Sequence, residues 1–252
     1  MNRSGFLLLF FSFITLSANA QKVKPVESTW ADKIQIDGQL NEWGDSLTHY
    51  FPDQDLRYSF ANDDEYLYIA VQVKNKEKQI QTAFNGLTIE INPDGKKKQG
   101  PSLIFPIPER SAIRALSEQE FNTTKDPIRM ALSSVRALYI FGFPSILDGQ
   151  ISLDNTYGIK AEVLIDSTNI LSYESVIPLS RLNLPKNTNG FAINIRINGL
   201  IRTQYTESDR RGNYRNSPYG YGGYGYPPRS RTITRERQEP GVWQYLNLAV
   251  QP

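Results

Sequence analysis

Residues 56–73 read LRYSFANDDEYLYIAVQV and predict a β-hairpin. The first arm alternates apolar with polar residues as far as Phe60, which is the period of a strand with one buried face. Residues 61–65 (ANDDE) predict the turn, because Asn and Asp side chains bond their own backbone and tolerate left-handed geometry. The second arm, from Tyr66 onward, is apolar on both faces, so we expect a central strand that is covered on both sides.

Short β-rich segments of the same kind recur along most of the chain. Residues 101–144 are less regular; we expect an insertion there that covers one end or face of a sheet and contains a helix at 111–120. At least eight strands, one short helical insertion and no β-α-β rhythm predict an all-β fold, namely an antiparallel β-sandwich of the immunoglobulin-like or jelly-roll-like kind. The predicted strands are 34–36, 56–60, 66–73, 86–91, 139–143, 151–153, 157–165, 171–177, 191–198 and 242–250.

Residues 1–20 have the organisation of a secretory signal peptide. Arg3 supplies the positive end, residues 6–16 form the apolar run, and the small-residue cleavage site ANA ends at Ala20. The apolar run is too short to span a membrane, and no later stretch is long enough. The chain has no cysteine, which in an exported protein suits a bacterial periplasm or the extracellular medium. We therefore expect residues 21–252 to form a single secreted domain.

Residues 202–239 are rich in Tyr, Gly and Arg and poor in aliphatic residues. We expect a flexible loop there, because such a composition cannot build a core. Arg and Tyr can grip single-stranded nucleic acid through phosphate contacts and base stacking, but the predicted export argues against that partner. The formal net charge of +2 implies no nucleic acid either. A glycan or an envelope protein is the expected partner of this loop.

The sequence lacks the sets of residues on which several common catalytic mechanisms depend. Cysteine nucleophiles and clusters of zinc ligands are excluded by composition, since the chain has no cysteine and one histidine, His49. A Ser-His-Asp triad would depend on that histidine, and no G-x-S-x-G motif accompanies it. We therefore predict that the protein is not an enzyme.

Three carboxylates lie close together in sequence, at Asp37, Glu42 and Asp45. They are expected to cap turns; the alternative is a structural calcium ion held by their oxygen atoms. A glycosidase using Asp37 or Glu42 as acid or base would need two carboxylates facing each other across a cleft, and proximity in sequence does not show this.

Trp43 stands beside the Asp-Gly turn at 37–38 and has two interpretations. As a structural residue it closes one end of the core, which is the commoner role of a Trp next to a turn. As a functional residue it offers a flat apolar face on which a sugar ring can stack.

The order of several motifs resembles that of the family 9 carbohydrate-binding modules and their DOMON-like relatives. The resemblance covers most of residues 34–250, apart from 101–145 and 202–239. It implies a secreted β-sandwich, often with structural calcium, whose sugar-binding cleft lies between aromatic side chains. The segments that carry it are IDG with EW within 36–43, YLYIAV at 66–71, LTIEINPDG at 87–95, ESVIPLSRL at 174–182, GFAIN at 190–194, and Pro240 with Trp243 and Leu246.

Sugar binders of that family clamp the sugar between two exposed Trp residues, and this chain departs from that pattern. Trp43 and Trp243 fall on motif positions that are better explained as core. Tyr139, Phe141 and Phe143 are therefore the rings that we expect to take the place of the Trp pair, with Trp43 as a further ligand-binding residue.

A different DOMON-like branch holds haem through a Met and a His or Lys. Met130 and His49 are available for such a site here, although a lone Met usually fills a core. Taken together, the patterns predict an exported, non-catalytic binding module for a glycan. The alternative is a cell-envelope interaction or scaffold protein that keeps the sandwich without a sugar site. No cofactor is expected apart from the calcium ion considered above.

Overall fold

The protein is a β-sandwich of two facing sheets, seen in a computed structural model. The structure describes residues 25–44, 47–109, 111, 126–185, 190–199 and 240–252. The signal peptide, Asp45, the loop at 202–239 and the helix expected at 111–120, apart from Ser111, lie outside the described residues. Those predictions stay predictions.

Most of the described secondary structure consists of β-strands. The described residues include the α-helices α1 (Lys76–Asn85) and α2 (Pro127–Ser133), with 3-10 turns at Asn41–Trp43, Pro52–Gln54 and Leu179–Arg181. The strands are β1 (Val26–Glu27), β2 (Thr29–Trp30), β3 (His49–Phe51), β4 (Leu56–Asn62), β5 (Tyr66–Val73), β6 (Leu87–Asn92), β7 (Ser102–Phe105), β8 (Ala137–Phe141), β9 (Gly149–Ser152), β10 (Lys160–Ile165), β11 (Leu171–Pro178), β12 (Gly190–Ile197) and β13 (Val242–Asn247).

The strands form one seven-stranded and one six-stranded sheet. The first has the order β1-β13-β12-β6-β7-β8-β9; the second has the order β10-β11-β5-β4-β2, with β3 also paired to β4. Neighbouring strands are antiparallel except for the short edge pairs β1–β13 and β2–β4, which are parallel. The predicted sandwich is therefore confirmed, with two mixed sheets in place of purely antiparallel ones.

β4 and β5 form the predicted hairpin, in which Phe60 lies opposite Ile69. Its turn is fixed by Asp63, whose Oδ1 accepts hydrogen bonds from the backbone N–H of Glu65 (2.8 Å) and of Tyr66 (2.6 Å). This is the local side-chain-to-backbone bonding that favours Asp in turns. Residues 63–65 thus form the turn between β4, which ends at Asn62, and β5, which begins at Tyr66.

The main core lies between the two sheets and is built from the alternate residues of each strand. Each sheet contributes a continuous apolar face, because strand side chains alternate between the two faces. Fully buried members include Leu67, Ile69, Val71 and Val73 from β5, Leu87, Ile89 and Ile91 from β6, and Phe191, Ile193 and Ile197 from β12.

A second, smaller core covers the outer face of the six-stranded sheet. It joins Ile34 to Ala61, Tyr68 and Val176, which point outward from β4, β5 and β11. Ile34 belongs to residues 31–43, a segment that we call the strap because it crosses this face without joining it as a strand. The short strand predicted at 34–36 is therefore wrong, and its apolar residues cover a sheet face instead of extending an edge.

Two further expectations need correction. Residues 101–144 were expected to lie over a sheet as an insertion, but they supply β7 and β8, which continue the seven-stranded sheet from β6. Helix α1 was not predicted, since its sequence KEKQIQTAFN has few apolar residues. It begins at the cap Asn75, whose side chain accepts a hydrogen bond from the N–H of Lys78, and it packs against α2.

The central position of β5 leads to the first prediction. Ile69→Ala removes a fully buried side chain from β5 and should lower the free energy of unfolding by about 2–5 kcal/mol. Leu147→Ala, at a side chain that is 90% exposed, is the matched control and should change it by less than about 0.5 kcal/mol. The midpoint of denaturant unfolding measures both. Equal midpoints for the two variants would show that β5 is not central to the core.

Candidate functional site

A wide cleft opens on the outer face of the six-stranded sheet and has a volume of about 1200 Å³. Its walls are the strap, the β4–β5 turn and the start of β10, and its floor comes from outward side chains of β5 and β11. Aromatic rings, carboxylates, other polar groups and a few aliphatic side chains line it. Those used below are Trp30, Asp32, Lys33, Glu42, Asp63, Asp64, Glu65, Tyr66, Tyr68, Lys160 and Gln251.

Glu174 of β11 holds the strap in place. Its side chain is fully buried beneath the strap, where Oε2 accepts hydrogen bonds from the backbone N–H of Gly38 (2.8 Å) and of Asp37 (3.1 Å). Its other oxygen, Oε1, accepts the indole N–H of Trp43 at 2.7 Å. One carboxylate therefore fixes both the Asp-Gly turn and the Trp of the IDG…EW motif.

Gly38 is required where the strap turns over β10. Its φ is +82°, in the left-handed region that glycine adopts without strain. A Cβ at this position would lie 2.9 Å from Cβ of Leu164 on β10. The close approach lets the N–H of Gly38 reach Glu174, so the glycine and the buried carboxylate form one structural unit.

Burial raises the pKa of Glu174, and the hydrogen bonds from Trp43, Gly38 and Asp37 lower it in part. A buried carboxylate is tolerated only when donors satisfy it, and here three donors share its two oxygens. Glu174 therefore stabilises the strap through hydrogen bonds, while its own desolvation opposes part of that gain.

The opposite wall is the β4–β5 turn, which is fixed by a network around Asp63. While Oδ1 of Asp63 closes the turn, Oδ2 accepts a hydrogen bond from the hydroxyl of Tyr68 at 2.7 Å. Burial and this hydrogen bond both raise the pKa of Tyr68. The ring of Tyr66 lies beside that of Tyr68, with 6.2 Å between their centroids. Tyr66 is half-buried, so part of its ring faces the cleft.

Trp30 is the second half-exposed ring of the cleft, and buried polar groups position it. It lies on β2 opposite Asn62, the last residue of β4. Asn62 is itself 2% exposed and accepts a hydrogen bond from the hydroxyl of Ser28. It also bonds the backbone N–H and C=O of Ala249 at 2.8 and 3.1 Å, which brings Gln251 to the rim.

The sequence prediction did not include Trp30 or Tyr66 among the site residues. Trp30 lies in a polar segment near the N-terminus that has no alternating pattern. Tyr66 belongs to the arm of the hairpin that was predicted to be covered on both sides. An aromatic ring in a polar segment is a signal that could have pointed to Trp30. For Tyr66, the useful signal was its position directly after the ANDDE turn, at the end of a strand.

The four rings predicted to bind ligand do not meet at one place. Tyr139 and Phe141 lie on β8 of the seven-stranded sheet, where Phe141 is 40% exposed. Phe143 is 4% exposed and belongs to the main core. Trp43 packs against the second core and bonds Glu174 on the six-stranded sheet. A ligand contact at Tyr139 or Phe141 stays a prediction.

The predicted calcium ligands are placed only in part. Oδ1 of Asp37 accepts the backbone N–H of Gln39 at 2.8 Å, which is the turn-capping role. Glu42 is exposed at the cleft, and Asp45 lies outside the described residues. Over the ranges that the structure describes, no three His, Cys, Asp or Glu side chains are grouped so that they could hold a metal. Calcium therefore remains a prediction.

His49, the only histidine, lies on β3 with its ring against two aromatic rings of β4. Its centroid is 5.2 Å from that of Tyr58 and 6.4 Å from that of Phe60. Met130, the residue paired with His49 in the haem hypothesis, is 38% exposed on α2. The imidazole thus has a packing role among these residues.

Comparisons with known proteins give a likeness of fold. No family model and no curated protein matches the chain. Among solved structures three chains match, including a family 9 carbohydrate-binding module from Caldicellulosiruptor kristjanssonii in complex with glucose. The identity is 11%, the TM-score is 0.40, and the alignment covers 91% of this chain and 97% of that module. In the described part of this chain, no helix has the length and apolar character needed to cross a membrane.

The anchor at Glu174 gives a second prediction. Glu174→Ala leaves three donors without their acceptor, and we expect a loss of about 3 kcal/mol or more in the free energy of unfolding. The strap should also loosen, so trypsin should cleave after Lys33 faster than in the wild type. Glu162→Ala is the control, since Glu162 lies opposite Glu174 on β10 and is exposed. Equal stability and equal cleavage in both variants would contradict the role of Glu174.

The packing of His49 gives a third prediction. Burial lowers the pKa of His49 from its usual 6.5, so the folded protein binds the imidazole proton less tightly than the unfolded chain. The contribution of the neutral imidazole to stability is therefore fully present above the unfolded pKa, and it is lost as the pH falls through the folded pKa. NMR titration of the single imidazole should give a pKa below 6.5. Between about pH 7 and pH 5 the wild type should lose stability more steeply than His49→Gln; parallel curves would contradict this.

Proposed function

We propose that the protein is an exported, non-catalytic module that binds a glycan in the cleft beside the strap. The observation that carries the proposal is the pairing of two half-exposed rings, Trp30 and Tyr66, with many polar side chains in one open cleft. Export is supported by the N-terminal pattern that ends at Ala20.

The chemistry of the cleft suits a sugar chain. Sugar rings have apolar C–H faces that pack on aromatic rings and hydroxyl groups that need hydrogen-bond partners at their edges. Trp30 and Tyr66 offer the first kind of contact; carboxylates and amides such as Asp64 and Gln251 offer the second. A volume of about 1200 Å³ slightly exceeds the range typical of sites for single small ligands, which favours several linked sugar units.

A binding role also fits the burial and the hydrogen bonds of the carboxylates. A glycosidase needs a general acid whose pKa is raised by burial and whose proton reaches the substrate. Burial raises the pKa of Glu174, but both its oxygens are engaged beneath the strap. Both oxygens of Asp63 accept hydrogen bonds within the turn or from Tyr68. Asp32, Asp64 and Glu42 are exposed, so burial does not favour their protonated form. The cleft therefore supports binding better than hydrolysis.

Binding can be tested with variants that separate the two aromatic surfaces. The wild type should be retained on an insoluble polysaccharide, or bind a soluble oligosaccharide in calorimetry. Trp30→Ala should weaken that binding about tenfold, which corresponds to the loss of roughly 1.4 kcal/mol of ring contact. Phe141→Ala, at the exposed ring of β8, is the matched control and should bind as the wild type does.

Each outcome decides between named sites. If Phe141→Ala loses binding and Trp30→Ala keeps it, the sugar site lies on β8, as the sequence predicted, and the cleft proposal is wrong. If the folded wild type binds no sugar on a broad glycan array, the glycan function is wrong for both surfaces. Circular dichroism of each variant distinguishes lost contact from lost fold.

A further inference from the structure

We infer that the cleft selects glycans that carry free ammonium groups, such as polymers of deacetylated amino sugars, over neutral and anionic ones. The inference rests on the proposed glycan function and specifies its ligand class. It is drawn from the sign of the charges that line the cleft, from the absence of ion pairs to its carboxylates among the described residues, and from the aromatic rings beside them.

Acidic groups predominate in the cleft. Its carboxylates are Asp32, Glu42, Asp63, Asp64 and Glu65, whereas its cationic side chains are Lys33 and Lys160. The chain as a whole has a formal net charge of +2, so this negative surface does not reflect an acidic protein. A cleft lined mainly by one sign of charge concentrates ligands of the opposite sign.

The acidic groups of the cleft are not neutralised within the described part of the chain. The ion pairs found there join Lys96 with Asp94 and Arg129 with Asp126, and none of these residues lines the cleft. The exposed Asp64 and Glu65 belong to the turn that Asp63 closes, so the turn holds their backbone in place. The backbone that carries these two charges is thus held at the edge of the cleft.

Aromatic rings in the same cleft add a second attraction for cations. An ammonium group over the face of a Trp or Tyr ring gains from the negative charge of the π system, by about 0.5–2 kcal/mol depending on exposure. Trp30 and Tyr66 are half-exposed there. An amino sugar can therefore stack its ring and place its ammonium near a carboxylate, whereas a neutral sugar stacks and forms hydrogen bonds without this pairing of opposite charges.

The same arrangement disfavours acidic glycans. A uronate or sulfate brought into the cleft meets the carboxylates of Asp32 and Asp64, which form no ion pair with any described residue, and like charges in close contact cost binding energy. Lys33 and Lys160 are too few to reverse the sign. The cleft thus discriminates by attraction to ammonium groups and by repulsion of anionic ones.

The experiment compares three oligosaccharides of equal length, built from glucosamine, N-acetylglucosamine and glucose. Calorimetry with the chain that begins at Gln21 is done at a mildly acidic pH, where the sugar amines are protonated. We expect the glucosamine oligomer to bind at least about tenfold more tightly than either neutral oligomer. Raising the salt concentration should weaken only that binding, since screening acts on exposed charges.

Charge-removing variants provide the matched control. Asp64→Asn with Glu65→Gln removes two charges from the cleft and should bring the glucosamine oligomer to the affinity of the neutral ones. Asp53→Asn with Glu77→Gln removes two exposed charges away from the cleft and should leave the preference unchanged. An equal loss in both double variants would show that net charge, and not the cleft, causes the preference, and would overturn the inference.

The remaining outcomes separate this inference from the function on which it rests. If all three oligomers bind equally and salt has no effect, the ammonium preference is wrong while the glycan function stands. If none binds, both are wrong. If an oligolysine peptide binds more tightly than the glucosamine oligomer of equal charge, the cleft recognises cationic protein segments, and the glycan assignment of its ligand is overturned.

Discussion

The structure depends on the need to cover both faces of β5 and β11, the two central strands of the six-stranded sheet. Their inner faces meet the other sheet, as in any sandwich. Their outer faces carry Tyr68 and Val176, which would be exposed without the strap. The strap cannot pair as a strand across a sheet face, so its backbone N–H groups need another acceptor. Glu174 supplies it from within the covered face.

This solution also creates the cleft. The strap is held at its Asp-Gly turn and at Trp43, whereas residues 32–36 pass over the sheet at one side of an open space. The β4–β5 turn stands at another side, held by Asp63. Because the strap and the β4–β5 turn are each fixed by hydrogen bonds to a single carboxylate, these two walls are preorganised, and a ligand would not have to order them on binding.

Sequence patterns predicted the structures that local interactions determine. They missed those that depend on residues far away in the sequence. The β4–β5 hairpin follows from alternation and an Asx turn, and both are local. The strap looked like a strand at 34–36 because its apolar residues alternate, and only the contact with Glu174, 137 residues from Asp37, shows that they cover a face. The polar sequence of α1 hid a helix that its cap and its packing on α2 support.

The fold does not use most of the acidic side chains of the cleft. Asp63, which closes the β4–β5 turn, has a structural role, as does Asp37, which caps a turn of the strap and does not line the cleft. Asp32, Asp64 and Glu42 are exposed and make no ion pair within the described ranges, and an exposed, unpaired carboxylate contributes little to stability. Their neutral variants should fold as the wild type does. Any change that these substitutions cause in ligand preference can therefore be read as recognition and not as damage to the sandwich.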